Sequence, residues 1–192
     1  MGEHTWWYVA RTTGIVAWAL ASASVIIGMI LSTRVLGRRP TGPWLLDLHR
    51  FTAGLSMLFV AIHLLGLWGD SYLHFAWREF LLPGASSYRP GAVTWGIVAG
   101  YALLIVQGSS MLMRRMPRRW WRAIHQLSFV SFISSSIHLW QSGTDAGNPV
   151  LRAGVLGSSG IVVLLLLIRF RRSVEVSGGE NEVSTRKPLV RS

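Results

Sequence analysis

Apolar residues come in blocks along the chain, separated by short clusters of arginine. The spans read at about Ile15–Leu31 (extended back to Trp6), His49–Trp68, Ala92–Met113, Trp121–Trp140 and Gly154–Phe170. Each approaches the ~20 residues that carry a helix across ~30 Å of hydrocarbon. None alternates with a period of two, so the runs predict helices and not the strands of a barrel. The expected fold is an all-α polytopic membrane bundle of about five transmembrane helices.

The loops predict its orientation. Arg34, Arg38, Arg39 and Arg50 lie between or beside the first two spans. Arg114, Arg115, Arg118, Arg119 and Arg122 lie between the third and fourth, and Arg169, Arg171 and Arg172 end the fifth. The other two loops are nearly balanced in charge. Cationic loops stay on the cytoplasmic side, which puts the N-terminus outside and the C-terminus inside. Residues 1–172 then form one membrane domain, and 173–192 a polar, disordered cytoplasmic tail. The expected location is the cell (inner or plasma) membrane of a bacterium. The start of the chain lacks the pattern of a cleaved signal, so the first span reads as a retained anchor.

Composition narrows the chemistry. The net charge of +11 would suggest nucleic acid in a soluble protein. Here the arginines flank apolar runs, so they read as topology determinants and no nucleic-acid partner is expected. There is no cysteine. That excludes disulfides, iron–sulfur clusters and thioether-attached haem, and leaves His, Met or oxygen as metal ligands. Most tryptophans fall near span ends, as in an interfacial belt.

Six histidines remain to be explained. His4 and His74 fall in a tail and a loop. The other four lie in two spans that run in the same direction: His49 and His63 in the second, His125 and His138 in the fourth. The helical rise separates each pair by about 21 Å and about 20 Å. Two co-directional helices thus offer one imidazole each at two matching depths. Imidazoles inside a membrane are costly and mark function. Opposed neutral imidazoles can clamp the iron of a b-type haem, and a second such pair makes a second site. Gly54 and Ser128, Ser131 and Ser134–Ser136 are small enough to leave room, and the hydroxyls are candidates for hydrogen bonds to the imidazoles. Zinc would want three or four ligands at one depth. Arg50 and Arg122 stand beside the inner histidines, where they are either propionate partners or topology residues. One spacing is awkward. Fourteen residues return to nearly the same helix face, but the thirteen from His125 to His138 land about 140° away, so the fourth span is bent or irregular or its sites lie on different flanks.

With these residues in place the chain resembles the ferric reductase-like transmembrane domain superfamily, which includes NADPH oxidases, metalloreductases and the haem subunit of the bacterial methionine sulfoxide reductase system. The likeness covers roughly residues 8–170 and rests on the two histidine pairs, on RWWRAIHQL at 119–127, on ARTTGIVAW at 10–18 and on QSGTDAG at 141–147. It implies two b haems, held by His49 with His125 and by His63 with His138, and electron flow from the cytoplasmic haem to the outer one. Only about twenty polar residues follow the last span, with no Gly-rich dinucleotide fingerprint. No flavin or NAD(P) site is expected, so the chain reads as an oxidoreductase component whose electrons come from a separate flavoprotein or quinol and leave to an acceptor outside. The alternative is a non-redox transporter or assembly factor that uses the histidines for protons or metal.

Overall fold

The computed structural model describes residues 5–33, 35, 42–70, 75–142 and 147–185, with side chains described as far as Arg172. Seven α-helices follow one another: α1 (Thr5–Thr33), α2 (Gly42–Gly69), α3 (Trp77–Leu81), α4 (Pro90–Met111), α5 (Arg118–His125), α6 (Leu127–Ser142) and α7 (Pro149–Thr185). A short 3-10 turn, Met113–Arg115, joins α4 to α5. No strand occurs among the described residues. Four helices are long and apolar enough to cross a membrane: α1, α2, α4 and the Pro149–Arg172 part of α7.

The fourth expected span is the exception. It is broken at Gln126 into α5 and α6. Around the break the backbone tightens to three-residue hydrogen bonds, Gln126 N–H to Ala123 O (3.2 Å) and Phe129 N–H to Gln126 O (3.0 Å). Helical phase is therefore not continuous from His125 to His138, and the angular mismatch of a thirteen-residue step disappears.

Helix ends follow local chemistry. Pro149 starts α7, where its missing N–H is not needed. The Asn148 side-chain oxygen accepts from Val150 N–H (2.9 Å) and Leu151 N–H (3.4 Å), a cap for the first turn. At the other end of the bundle the Arg172 guanidinium donates to Thr33 O, placing a cation at the C-terminus of α1 where the helix dipole favours it. The backbone of α7 stays helical to Thr185, into the stretch expected to be disordered. Residues 186–192 of that stretch lie outside the described residues.

Packing divides the bundle into two antiparallel hairpins, α1 with α2 and α4 with α6. Trp18 joins them. Its indole N–H donates to Ser136 Oγ at 3.0 Å, and its ring packs with Leu139 and Val155 in a small core shared by α1, α6 and α7. Elsewhere the helices turn large apolar side chains outward, among them Phe51, Leu58, Ile133, Leu164 and Phe170. A soluble protein rarely exposes such a continuous apolar surface, and lipid is the solvent it fits.

Candidate functional site

The four membrane histidines converge in two pairs. His49 faces His125 with ring centres 6.1 Å apart and planes inclined at 67°. His63 faces His138 at 6.4 Å and 78°. The rings cross a gap, because α2 makes no extended contact with α5 or α6. The separation has a chemical meaning. A metal ion held between two facing imidazoles would need metal–nitrogen bonds of about 2.0–2.1 Å, which with ring centres about 1.1 Å behind each nitrogen would put the ring centres about 6.3 Å apart. Both pairs sit at that spacing.

Backbone carbonyls orient the rings. His63 Nδ1 lies 2.6 Å from Ala10 O, His138 Nδ1 2.7 Å from Ala92 O, and His49 Nδ1 2.9 Å from Ser24 O. Each Nδ1–H donates to its carbonyl, which leaves Nε2 with a free lone pair, as a metal-ligating imidazole requires. Four residues beyond each carbonyl the helix carries a glycine. A Cβ on Gly14 would sit 2.8 Å from the His63 ring, one on Gly96 2.8 Å from His138, and one on Gly28 3.1 Å from His49. Only a residue without a side chain lets the helix come so close. These three glycines and the three carbonyls escape the sequence reading. The glycines carry a detectable signal, since Gly14 and Gly28 repeat the fourteen-residue step of His63 and His49.

His125 differs. Its Nδ1 is buried and has no hydrogen-bond partner among the described residues, and the same holds for the neighbouring Trp121 Nε1. The Trp121 ring lies over His125 at 5.0 Å and 30°. Stacking therefore orients this imidazole where hydrogen bonds orient the other three.

Several expected contacts are replaced by others. Ser131, Ser135 and Ser136 bond to backbone carbonyls and not to the imidazoles, whereas Ser142, at the end of α6, lies 3.4 Å from His138 Nδ1. Ser131 Oγ donates to Ala99 O (3.0 Å), while Ser135 and Ser136 donate to Phe132 O at 3.0 and 2.8 Å. Gly54 faces open space, with nothing near a would-be Cβ. Arg50 and Arg122 are exposed, and Arg50 lies 3.8 Å from Asp47. Arg89 donates to Gln141 O at 2.7 Å and so ties the start of α4 to the end of α6. Arg152 lies over the Trp140 ring at 5.5 Å. His4, His74 and Asp145 lie outside the described residues. No group of three or more His, Cys, Asp or Glu side chains converges among the described residues, so the donor set is two imidazoles per depth.

At the same end of the bundle as His63 and His138, Glu79 latches the connection from α3 to α4. It is buried. Its carboxylate accepts from Ser87 N–H (2.9 Å), Ser87 Oγ (3.2 Å) and Ala76 N–H (2.8 Å). The Ser87 N–H first, then the Ala76 N–H, hold its carboxyl below the usual range.

Residues 13–135, more than half of the chain, match the family described as the ferric reductase like transmembrane component. No curated protein and no solved structure matches the chain.

Proposed function

The chain belongs to the ferric reductase-like transmembrane family, and on that premise we propose that this membrane electron-transfer component holds two b-type haems and passes electrons between the two faces of a bilayer. The observation that carries the reading is the pair of ring separations, 6.1 and 6.4 Å, at two depths of the bundle. Two neutral imidazoles at one depth would be the protein ligands of a six-coordinate b haem, and α2 makes no extended contact with α5 or α6 between them.

When bound, haem iron supplies a one-electron couple at each depth. The chain does the rest. Ala10, Ser24 and Ala92 fix three imidazoles in the tautomer that presents Nε2. Gly14, Gly28 and Gly96 hold the carbonyl-bearing helices against the rings. The fourteen residues from His49 to His63 set the two sites about 21 Å apart along α2. The arginine-rich connections put the His49–His125 end in the cytoplasm and the His63–His138 end outside. Electrons would enter at the His49–His125 end from a separate flavoprotein or quinol and would leave at the His63–His138 end to an acceptor outside. Arg50 and Arg122 flank the inner pair at the cytoplasmic surface, where haem propionates would emerge.

The test is a reduced-minus-oxidised spectrum of the purified protein with a haem assay. Two b haems per chain are expected. His63→Ala and His49→Ala should each remove one. A colourless protein, after expression with ample haem, overturns the reading and favours a role for the histidines in moving protons or metal.

A further inference from the structure

The hydrogen bonds between paired helices form a ladder with a rung every seven residues. In the first hairpin Ala10 O accepts from His63 Nδ1 (2.6 Å), Ala17 O from Ser56 Oγ (3.1 Å) and Ser24 O from His49 Nδ1 (2.9 Å). Each step moves seven residues up α1 and seven down α2. Seven residues make nearly two helical turns, so all three rungs share one face. The second hairpin repeats the pattern. Ala92 O accepts from His138 Nδ1 (2.7 Å) and Ala99 O from Ser131 Oγ (3.0 Å). Seven residues farther along α4 stands Val106; seven residues back from Ser131 stands Ile124, and the nearest side-chain donor is His125, one residue on, just before the tightened backbone at Gln126.

That third rung is not made. In the first hairpin Gly28 follows four residues after the accepting carbonyl; in the second, Ser110 holds that place. Ser110 Oγ donates to Val106 O at 2.8 Å and Ser109 Oγ donates to it at 3.0 Å. A helical carbonyl has one lone pair left after its backbone bond, and two hydroxyls compete for this one, where Ala10 O takes a single longer contact from Thr13 Oγ1 (3.3 Å) beside its bond to His63. The break at Gln126 falls immediately after His125. Its Nδ1 stays buried without a partner among the described residues.

We propose that the two metal sites are electronically unequal, and that Ser109 and Ser110 maintain the inequality by occupying the carbonyl that would otherwise orient and polarise His125. This rests on the reading of His49 and His125 as ligands of one haem iron. An imidazole that donates its Nδ1–H is the more basic ligand, and a more basic ligand favours the oxidised metal. The outer site has two such ligands and the inner site one. The missing rung therefore raises the inner potential above the value a complete ladder would give, and eases acceptance of an electron from the cytoplasmic donor. Ser109 and Ser110 are positioning residues, since they act through the Val106 carbonyl.

The experiment is a redox titration of the full-length holoprotein carrying Ser109→Ala with Ser110→Gly, which reproduces the carbonyl-plus-glycine arrangement of the other three histidines. One of the two midpoints is expected to fall, with an about tenfold lower ferrous-to-ferric ratio at fixed ambient potential, equivalent to ~59 mV for one electron. The other midpoint stays, and the EPR signal of one haem alone shifts. Ser110→Ala, which removes a hydroxyl but keeps the Cβ, should give a smaller shift of the same sign and serves if the double variant loads poorly. Ser135→Ala, whose hydroxyl bonds within α6, should move neither. Two haems with unchanged midpoints in both the double variant and Ser110→Ala, or with both midpoints moving together, overturn the proposal. A wild-type protein without haem sinks the underlying reading instead, so the two failures are told apart.

Discussion

Single side chains explain why the two histidine pairs are stiff enough to serve as ligands. An imidazole loose in an apolar gap would sample several rotamers. A carbonyl at 2.6–2.9 Å and, four residues on along the same helix, a glycine against the ring leave three of the four rings one orientation. Facing rings are inclined at 67° and 78°. Nearly perpendicular ligand planes leave the two iron dπ orbitals of a ferric haem nearly degenerate. The oxidised protein is therefore expected to show highly anisotropic low-spin EPR signals at low field; a rhombic signal from parallel planes would contradict the ring geometry. Glu79 supports a prediction away from the histidine pairs. Its folded-state pKa is depressed by the amides of Ser87 and Ala76, so the latch contributes its stability above the ordinary carboxylate range of about 4.3. That contribution is lost as pH falls through the lower folded value. Protection factors of the amides in residues 76–88, taken against intrinsic exchange at each pH, should be high at neutral pH and fall on acidification below pH ~4, and Glu79→Gln should lower them already at neutral pH. No difference between variant and wild type at neutral pH would show that the carboxylate is not the latch.

Helix pairs are the scale at which sequence legibility divides. The histidines, their matched depths and the helical class could be read directly, because apolar length and intramembrane imidazoles are patterns of residue type. The heptad His49–Ser56–His63 and its echo Ser131–His138 were also there to be read, although serine alone is an ordinary packing residue in membrane helices. The accepting carbonyls could not be read, since a backbone oxygen at Ala10 or Ala92 looks like any other until the facing helix fixes the register. The break at Gln126 was equally hidden. Residues 123–129 read AIHQLSF, with neither Pro nor Gly, so only the awkward thirteen-residue step hinted at it. The pairing makes a discriminating prediction about glycines. A methyl group at position 96 would lie 2.8 Å from His138, whereas one at position 100 meets nothing within 4 Å. Gly96→Ala should destabilise the α4–α6 pair by about 1–3 kcal/mol, as overpacking does, and lose haem from one site. Gly100→Ala should be neutral or stabilise by about 0.5–1 kcal/mol through helix propensity. Thermal unfolding and haem content of the two variants decide it, and equal behaviour would mean that the ring does not rest on α4.

For the whole molecule, the two hairpins act as jaws joined through Trp18 and Ser136, with one ring from each jaw at each depth. Such a frame has no need for the hairpins to pack along one another where the rings face, which explains why the helices bearing the histidines stay apart while each packs on a neighbour. The frame also has a direction. Arg114, Arg115, Arg118, Arg119, Arg122 and Arg172 lie at the end that carries His49 and His125, the end that the proposed orientation places in the cytoplasm. On the proposed reading, a haem at each depth would make the bundle a relay, so the two sites should fail differently when one is removed. In sealed vesicles with the cytoplasmic face outward, a membrane-impermeant reductant should reduce both haems of the wild-type protein. In His49→Ala it should reduce the remaining outer haem far more slowly, because the ~21 Å step to the inner site has become a gap with no carrier. With the opposite face outward, the outer haem of His49→Ala should be reduced as fast as in the wild type. Equal rates from both faces in the variant would mean that the inner pair is not on the electron's path, and the bundle would then be a scaffold for two independent sites.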